Sequence, residues 1–349
     1  AAAVLRRSDH GDLTVLSSII SSQDEKHAPY GGVVPEIAAR AHMEKVDYLT
    51  AKAIKEAGIA YTDLDGIAAT AGPGLIGGVI TGLMCAKGLA LALDVPLQPV
   101  NHLEGHALSP RLSGPCAFPF LLLLVSGGHT QLLSVNGLGD YERLGSTVDD
   151  AAGEAFDKTA KIMSLGFPGG PALERMALFG NAKAVDLPRP FMGKDHADFS
   201  FAGLKTAASR AFAAQSNVCE QGKADLAASF QKAVTDVICD RTQNAMAMFG
   251  AKHTGAKRFV AAGGVAANTA IREGLADLCA QNGYEMIVPP LKFCTDNAAM
   301  IALAGAEHLA AGNVDPNALS IKARPRWPLD ADSAANNPAS GSGKKGAKS

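Results

Sequence analysis

The feature that most constrains the fold of this sequence is a repeated glycine pair. Each pair follows an apolar stretch or precedes a predicted helix. Such pairs stand in LVSGGHT (124–130), FPGGP (167–171) and AAGGVAAN (261–268). Glycine lets the backbone approach a ligand, and the N-terminus of a helix favours phosphate. Each pair alone indicates only a tight turn. Together the three indicate an α/β chain with a nucleotide site, although none follows the Walker or the dinucleotide-binding pattern.

Hydrophobic patterning predicts the order of the elements. Two antiparallel strands open the chain, and helices follow over residues 36–57, ending at Gly58, and over residues 76–93. A second strand pair is predicted to turn at Gly127–Gly128. Further helices are expected over 149–165, 205–216 and 223–249. Two β-rich openings, each followed by helices, predict two related α/β lobes with a cleft between them.

Composition excludes some classes of protein. A length of 349 residues suits about two domains, and a net charge of −2 argues against a generally basic nucleic-acid binder. A local basic patch for a polyanion is possible in KARPRW (322–327) together with Arg189, Lys205 and Arg210, although such charges more often form a solvated surface. The six cysteines are scattered without a CxxC pair, which indicates a reducing, cytoplasmic compartment. The apolar run FPFLLLLV is too short to span a membrane.

A histidine pair in NHLEGHALS is the first candidate for chemistry. His102 and His106 are four residues apart, and such residues share one face of a helix, where two imidazoles reach one metal ion. Glu104 lies about 200° around the helix from each histidine, at roughly 100° per residue, and so points away from that face. The pair therefore differs from the HExxH pattern of metallopeptidases. A role as two surface histidines at a helix start stays open.

A third ligand must come from elsewhere. Asp296 in CTDNAAM stands where a loop meets the last helix. Aspartate is common as a helix N-cap, so residue type and position alone favour a capping role for Asp296 over a metal-binding one.

Ten stretches, in this order, resemble the bacterial tRNA N6-adenosine threonylcarbamoyltransferase family, formerly regarded as an O-sialoglycoprotein endopeptidase. They cover nearly the whole chain, so the match is specific. They are HAPYGGVVPEIAARAH (27–42), TAGPGLIGG (70–78), NHLEGHALSP (101–110), LLVSGGHTQL (123–132), DDAAGEAFDKTAK (149–161), PGGP (168–171), DFSFAGLKT (198–206), AAGGVAAN (261–268), FCTDNAAMIA (293–302) and RPRW (324–327).

The resemblance implies an α/β, two-lobed fold of the actin, sugar-kinase and Hsp70 type with an interlobe cleft. We expect an N-terminal lobe over residues 1–116 and a C-terminal lobe over 117–327. The last helix, 296–311, is expected to pack back on the first lobe, and residues 328–349 to form a disordered tail. Family members begin with a strand and loop reading much like GIETSCDET. This sequence starts just after it, so the expected fold lacks its first strand.

The resemblance also implies one divalent metal ion per chain, with Fe²⁺ expected and Zn²⁺ or Mg²⁺ as alternatives. Its ligands would be the residues that match the family at His102, His106 and Asp296. An adenylate site between the lobes is implied as well, and no catalytic base is identified. The positions that match its contacts are Leu124, Val125, Ser126, Gly127, Gly128, Asp157, Gly170, Glu174 and Asn268.

The family reaction transfers the threonylcarbamoyl group of threonylcarbamoyl-AMP to N6 of adenosine-37 in tRNAs that read codons starting with A. The resemblance thus implies tRNA, threonylcarbamoyl-AMP, a paralogous inactive subunit and a small ATPase as partners, with no membrane. The alternatives are a metal-dependent glycoprotein endopeptidase and an ATP-binding, kinase-like protein of the same fold.

Overall fold

The computed structural model describes residues 1–30, 32–215 and 219–336. The chain divides into two compact units. The first is Ala1–Cys116 with Pro289–Ala331, and the second is Ala117–Val288 with the described residues from 332. Residues 289–331 therefore belong to the first unit, whereas the expected C-terminal lobe ran without a break over 117–327. The reason is that the whole segment, and not only its helix, packs on strands of the first unit.

The first unit opens with the predicted antiparallel pair, β1 (Ala2–Arg7) and β2 (Leu13–Ile19). The short helix α1 (Asp24–His27) follows. The single helix predicted over 36–57 is wrong, because the chain forms α2 (Pro35–Met43) and α3 (Val46–Ala57). The Glu44 N–H donates to the Arg40 carbonyl and the Lys45 N–H to the His42 carbonyl, and this second, i→i−3 bond tightens and ends α2. Gly58 ends α3 with a left-handed φ of 69°, as predicted.

A parallel βαβ element follows, built from β3 (Ile67–Gly72), α4 (Ile76–Leu93) and β4 (Leu97–Asn101). Helix α5 (His102–Leu108) begins directly after β4. From the far end of the chain come α11 (Leu291–Cys294) and α12 (Ala299–Ala310), a shorter helix than the predicted 296–311. Helix α12 lies against β1, β3, β4 and α5. A Cβ added at Gly305 would stand 2.4 Å from Ala68 Cβ, so glycine is what allows α12 to approach β3.

Helix α4 is apolar and largely exposed. Within the described residues it is the one helix long and apolar enough to cross a membrane by length and composition, with a mean hydropathy of 1.8. Core helices of water-soluble proteins meet the same test. Ile76, Ile80 and Met84 are exposed at intervals of four residues along its surface.

The second unit contains a five-stranded sheet in the order β7 (Asp140–Ser146), β6 (Thr130–Gly137), β5 (Phe120–Val125), β8 (Arg258–Ala262), β9 (Glu285–Ile287). The predicted β5–β6 hairpin around Gly127–Gly128 is confirmed, while β7 was not foreseen. Strand β5 is buried along its whole length and pairs in parallel with β8. The helices are α6 (Ala152–Ile162), α7 (Gly169–Ala177), α8 (Ala202–Ala213), α9 (Glu220–Lys252) and α10 (Thr269–Asn282).

The expected disordered tail, 328–349, is only partly described. Its first residues include a short helix, α13 (Ala331–Asn336), where no structure was expected. Residues 337–349 lie outside the described part of the chain.

Candidate metal centre and glycine-loop site

Helix α5 carries the histidine pair. Asn101 caps it, since its Oδ1 accepts a hydrogen bond of 2.9 Å from the Leu103 N–H. His102 and His106 then stand one turn apart, with ring centroids separated by 4.8 Å and ring planes at 87°. The spacing argument thus holds: both imidazoles lie on one face of a helix.

Asp296 occupies the turn between α11 and α12, and its neighbour Asn297 holds that turn. Asn297 is buried; its Nδ2 donates to the Thr295 carbonyl at 2.9 Å, and its Oδ1 accepts from the Met300 N–H at 3.0 Å. The helix-capping role favoured for Asp296 from its position is therefore wrong, because Asn297 performs it. The Asp296 carboxylate points instead at the histidines.

The three side chains form a compact cluster. Asp296 Oδ1 lies 3.3 Å from His102 Nε2 and 3.1 Å from His106 Nε2. One ligand atom from each residue lies within 4.8 Å of the other two. Two ligands at about 2.1 Å from a metal ion and roughly 90–110° apart would be about 3.0–3.4 Å apart, so both measured separations fit a shared ion.

The electrostatics of the cluster suit a cation. Desolvation acts to raise the pKa of the Asp296 carboxyl, but the charge and hydrogen bonds of the two imidazoles outweigh it and hold that pKa well below its usual range. Burial lowers the pKa of His106, which favours the neutral, metal-binding form. His106 Nδ1 is buried without a hydrogen-bond partner among the described residues, so Nε2 carries the polar contact of this ring. The residues present fit a divalent ion.

Glu104 is not a member of the cluster. It is buried, and its Oε2 lies 3.0 Å from Nε2 of His308 on α12. This contact joins α5 to α12 on the side away from the histidine pair. Sequence reasoning placed Glu104 away from the metal but did not foresee His308, because their separation of 204 positions leaves no local signal.

The glycine loops lie together at one edge of the second unit. Strands β5 and β8 end side by side, with Leu124 opposite Ala262. A Cβ at Gly263, where φ is 98°, would stand 2.4 Å from the Val125 carbonyl oxygen, and one at Gly153 would stand 2.6 Å from that of Ser126. The end of β5 therefore touches the loop after β8, and the 126–128 turn touches the start of α6. Carboxyl ends of parallel strands are where open α/β sheets bind ligands.

The remaining predicted contact residues complete this region. Asp157 Oδ1 accepts from the N–H groups of Gly169 and Gly170, at 3.1 and 3.2 Å, at the start of α7. Glu174 on α7 accepts from the Thr269 N–H at 2.8 Å, at the start of α10. Asn268 caps α10 through the Ile271 N–H and donates to Gln231. Of the nine predicted positions, Leu124 and Val125 end β5, Asp157 and Glu174 lie within α6 and α7, and the others lie in loops or at helix starts. The side chains of Asp157, Glu174 and Asn268 also accept hydrogen bonds from N–H groups at helix starts.

Part of this region is open to a ligand. An added Cβ at Gly127, Gly128 or Gly170 would meet nothing within 4 Å. Asp157 Oδ2 accepts no hydrogen bond from any described residue. Burial raises the pKa of the Asp157 carboxyl, and the two glycine N–H groups act against that rise. The region therefore offers bare backbone and one available carboxylate oxygen.

The fold defines the class of protein. It is the α/β fold of the actin, sugar-kinase and Hsp70 type, as the resemblance implied. The crystal structure of HypF from T. kodakarensis matches 79% of this chain and 44% of its own with a TM-score of 0.58 and 17% sequence identity. A full-length HypF in the phosphate- and nucleotide-bound form matches with a TM-score of 0.52 and 13% identity, covering 79% of this chain and 42% of its own.

Sequence comparison narrows this class to one family. The TsaD family model, described as tRNA N6-adenosine threonylcarbamoyltransferase, matches residues 14–303. Curated proteins of that name from Maricaulis maris and Caulobacter vibrioides are 59% and 56% identical over 100% of this chain, which covers 93% and 94% of their lengths. The chain belongs to the tRNA N6-adenosine threonylcarbamoyltransferase family, whose members are acyltransferases.

Proposed function

We propose that this chain transfers the threonylcarbamoyl group of threonylcarbamoyl-AMP to N6 of adenosine-37 in tRNAs that read codons starting with A. The family match over residues 14–303 carries this proposal. In the reaction the N6 nitrogen forms a bond to the carbamoyl carbon. The bond from that carbon to the phosphate oxygen breaks, AMP leaves, and the nitrogen loses a proton.

His102, His106 and Asp296 would hold one divalent ion. Two histidines and one carboxylate with open positions are the ligand set of non-haem Fe²⁺ sites, which supports Fe²⁺ over Zn²⁺ and Mg²⁺. A bound ion supplies a Lewis acid for the oxygens on which negative charge develops. Asp296 is exposed, so the solvent side of the cluster is open to a substrate. Asn101 and Asn297 keep the ligands in place through the caps described above.

The glycine-loop region would bind the adenylate. The uncovered backbone of Gly127, Gly128 and Gly170 supports close approach of a phosphate or base. Ser126 is the first residue of the turn and accepts from the His129 N–H, while Leu124 and Val125 end the strand beneath it. Oδ2 of Asp157 would accept a hydrogen bond from a ribose hydroxyl. Glu174 and Asn268 would bound the site at the start of α10.

The proposed partners are tRNA, a paralogous inactive subunit and a small ATPase. The exposed apolar residues Ile76, Ile80 and Met84 of α4 support a protein partner on that helix, since contiguous apolar surface marks interaction sites. Six cysteines, all free, support the cytoplasm as the compartment.

The geometry around the histidine pair does not support the endopeptidase alternative. A metallopeptidase needs a carboxylate base beside the metal-bound water, and the carboxylate between the histidines, Glu104, contacts His308 instead. Kinase-like chemistry has no specific observation in its favour, because a sugar kinase has no use for the His102–His106–Asp296 cluster.

The test is mass spectrometry of tRNA nucleosides after incubation of the chain and its partner proteins with tRNA and threonylcarbamoyl-AMP. We expect a threonylcarbamoylated adenosine at position 37 and its loss with Asp296→Ala. Lys52→Ala, an exposed lysine on α3, is the matched control and should leave the product unchanged. Unmodified adenosine-37 with intact protein and partners would refute the proposal.

A further inference from the structure

A segment near the C-terminus crosses the first unit as a strap, defined here as residues 318–327, which begins with a 3-10 turn over Ala318–Ser320 and continues without a regular helix or strand. Ala318 is buried in the cluster beneath β3 and β4, and four backbone contacts fix the segment that follows. They are Lys87 Nζ to Ile321 O at 2.6 Å, Arg324 N to Ala71 O at 2.7 Å, Gly74 N to Pro325 O at 3.2 Å and Asn101 Nδ2 to Trp327 O at 2.9 Å. The strap is thus anchored along its length.

The strap has two different sides. Ile321, Ala323 and Trp327 pack against the apolar cluster. Lys322, Arg324 and Arg326 alternate with them and are exposed. Alternate residues of an extended chain lie about 6.6 Å apart on one side. The sequence KARPRW therefore presents three exposed cations in a row, called here the cationic row, with a bend at Pro325 between Arg324 and Arg326.

The cations of this row differ from others in the same unit. Lys26, Arg40, Lys52 and Arg111 each form an ion pair with a glutamate. Lys322, Arg324 and Arg326 form none with any residue in the described ranges, and residues 316–329 contain no acidic residue. The Arg324 guanidinium lies 4.6 Å from the centre of the Trp327 ring, a contact that orients it without neutralising its charge.

The row also leads to the metal centre. Trp327, at its end, accepts a hydrogen bond from Asn101, the residue that precedes the ligand His102 and caps its helix. A polyanion lying along the row would therefore pass beside α5. Because the strap backbone is already fixed, binding would order only three side chains.

We propose that the cationic row is a docking strip for the phosphate backbone of tRNA. This rests on the proposed function, which makes tRNA the substrate. The contacts are with phosphates and not with bases, so the strip positions the RNA and carries no sequence preference. Sequence reasoning grouped these residues with Arg189, Lys205 and Arg210. The structure sets those three apart, because they belong to the second unit and two of them pair with Asp236 and Asp150.

The test uses the full chain with Lys322, Arg324 and Arg326 replaced together by Gln. Each lost phosphate contact lowers the slope of log K against log salt by about 0.7–0.9, so we expect a fall of about 2 in slope and at least about tenfold weaker tRNA binding at low salt. The matched control replaces Arg40, Lys52 and Lys55 by Gln, with the same change in net charge, and should retain the wild-type slope.

Two readouts separate docking from a structural role. The melting temperature should fall only slightly, since all three replaced side chains are exposed and the lost Arg324–Trp327 contact is weak at an exposed site. In the modification assay KM for tRNA should rise while kcat at saturating tRNA stays constant. Trp327 is the only tryptophan, so its emission should change when tRNA binds to the wild type and not when ATP is added at equal phosphate concentration.

The outcomes distinguish this inference from the proposed function. The docking strip alone would be overturned if the triple variant kept the wild-type salt dependence of tRNA binding and the wild-type KM for tRNA, while the wild type modified adenosine-37. Binding that depends on the row, in a wild type that leaves adenosine-37 unmodified, would overturn the function and keep the strip. Loss of a protein partner with full tRNA binding would assign the row to a protein interface and overturn the proposal.

Discussion

At the scale of single residues, two adjacent side chains divide two tasks. Both Asp296 and Asn297 are capable of capping α12, and Asn297 does so from a buried position. Its amide cannot serve as a strong metal ligand, while the carboxylate beside it can. The order Asp–Asn in this turn therefore fixes which oxygen faces the imidazoles.

Metal content should depend on the cluster. We expect His102→Ala and Asp296→Ala each to weaken binding of Fe²⁺ by more than about 100-fold, beyond the range found for groups outside the ligand set. The measurement is metal analysis of purified protein and titration of the stripped form. His10→Ala, an exposed histidine, is the control and should keep its metal. Metal retained by both cluster variants would exclude the site.

Asp150 should contribute stability that disappears in acid. It lies 2.5 Å from Lys205 Nζ and 3.5 Å from Lys158 Nζ. Desolvation acts to raise the pKa of Asp150, but the two lysines outweigh it and lower that pKa. A carboxyl with a lowered folded-state pKa stabilises the protein above its unfolded pKa and loses this effect as pH falls through the folded value.

Asp150→Asn should therefore reduce the free energy of unfolding by about 2 kcal/mol at pH 7, a value below that of fully buried pairs because both lysines are partly exposed. The difference from wild type should shrink as the pH approaches 3. Denaturant titrations at both pH values measure it. Glu44→Gln, which breaks an exposed pair with Lys26, should cost less than about 1 kcal/mol at either pH. A pH-independent difference for Asp150→Asn would contradict the ionic explanation.

At the scale of elements, the close packing of α12 determines the geometry of the His102–His106–Asp296 cluster. A Cβ at Gly105 on α5 would stand 2.8 Å from Ile301 Cδ1, so α12 crosses α5 between the two histidines. Gly305 makes the corresponding close approach to β3. Small residues at both crossings hold α12 at the depth where Asp296 meets the imidazoles.

Gly305→Ala should shift α12 and loosen the cluster. The new Cβ would meet Ala68 Cβ at 2.4 Å, and neither group can rotate away, so we expect a loss of about 1–3 kcal/mol in stability together with weaker metal binding. Gly82→Ala in α4 has nothing within 4 Å and should be neutral or slightly stabilising. Thermal unfolding and metal titration measure both effects. Equal behaviour of the two variants would contradict the packing argument.

Sequence patterns predict elements well where the signal is local. Helix α4, the Gly58 end of α3 and the β5–β6 hairpin follow from periodicity and glycine placement. The break at Glu44–Lys45, strand β7 and the strap were missed. The break depends on two backbone hydrogen bonds at the end of α2, β7 on pairing with the neighbouring β6, and the strap on contacts with residues far away in the sequence. The histidine pair was visible as a helical spacing. Only the family resemblance grouped Asp296 with the pair, since a residue-based argument favoured the cap; the structure brings the three side chains close together.

At the scale of the whole molecule, the two units differ in how the chain builds them. The second consists mainly of one continuous segment, Ala117–Val288, joined by the described residues from 332, and its large apolar cluster lies entirely within that segment. The first unit is built from two segments, one before and one after that segment in the sequence. Helix α12, in the later segment, contributes several of the buried side chains of the first unit.

The continuous unit should therefore fold alone. We expect the fragment 117–288 to unfold cooperatively and residues 1–116 to bind a hydrophobic dye and no stoichiometric Fe²⁺, because they lack α12 and Asp296. Circular dichroism, dye fluorescence and metal titration test this. A dye-free, cooperatively folding 1–116 fragment would show that α12 is dispensable for the first unit.

The long sequence separation between His106 and Asp296, two of the proposed metal ligands, determines the order in which they are synthesised. His106 and Asp296 are 190 positions apart, and at roughly 5–20 residues per second a ribosome needs about 10–40 s to pass from one to the other. Throughout that interval the nascent chain carries a two-histidine site without its carboxylate. An ion captured early would be held by only two of the three proposed ligands, and the proposed site would be complete only after the second unit has been synthesised. We therefore expect loading with metal to be a late step in the biogenesis of this enzyme.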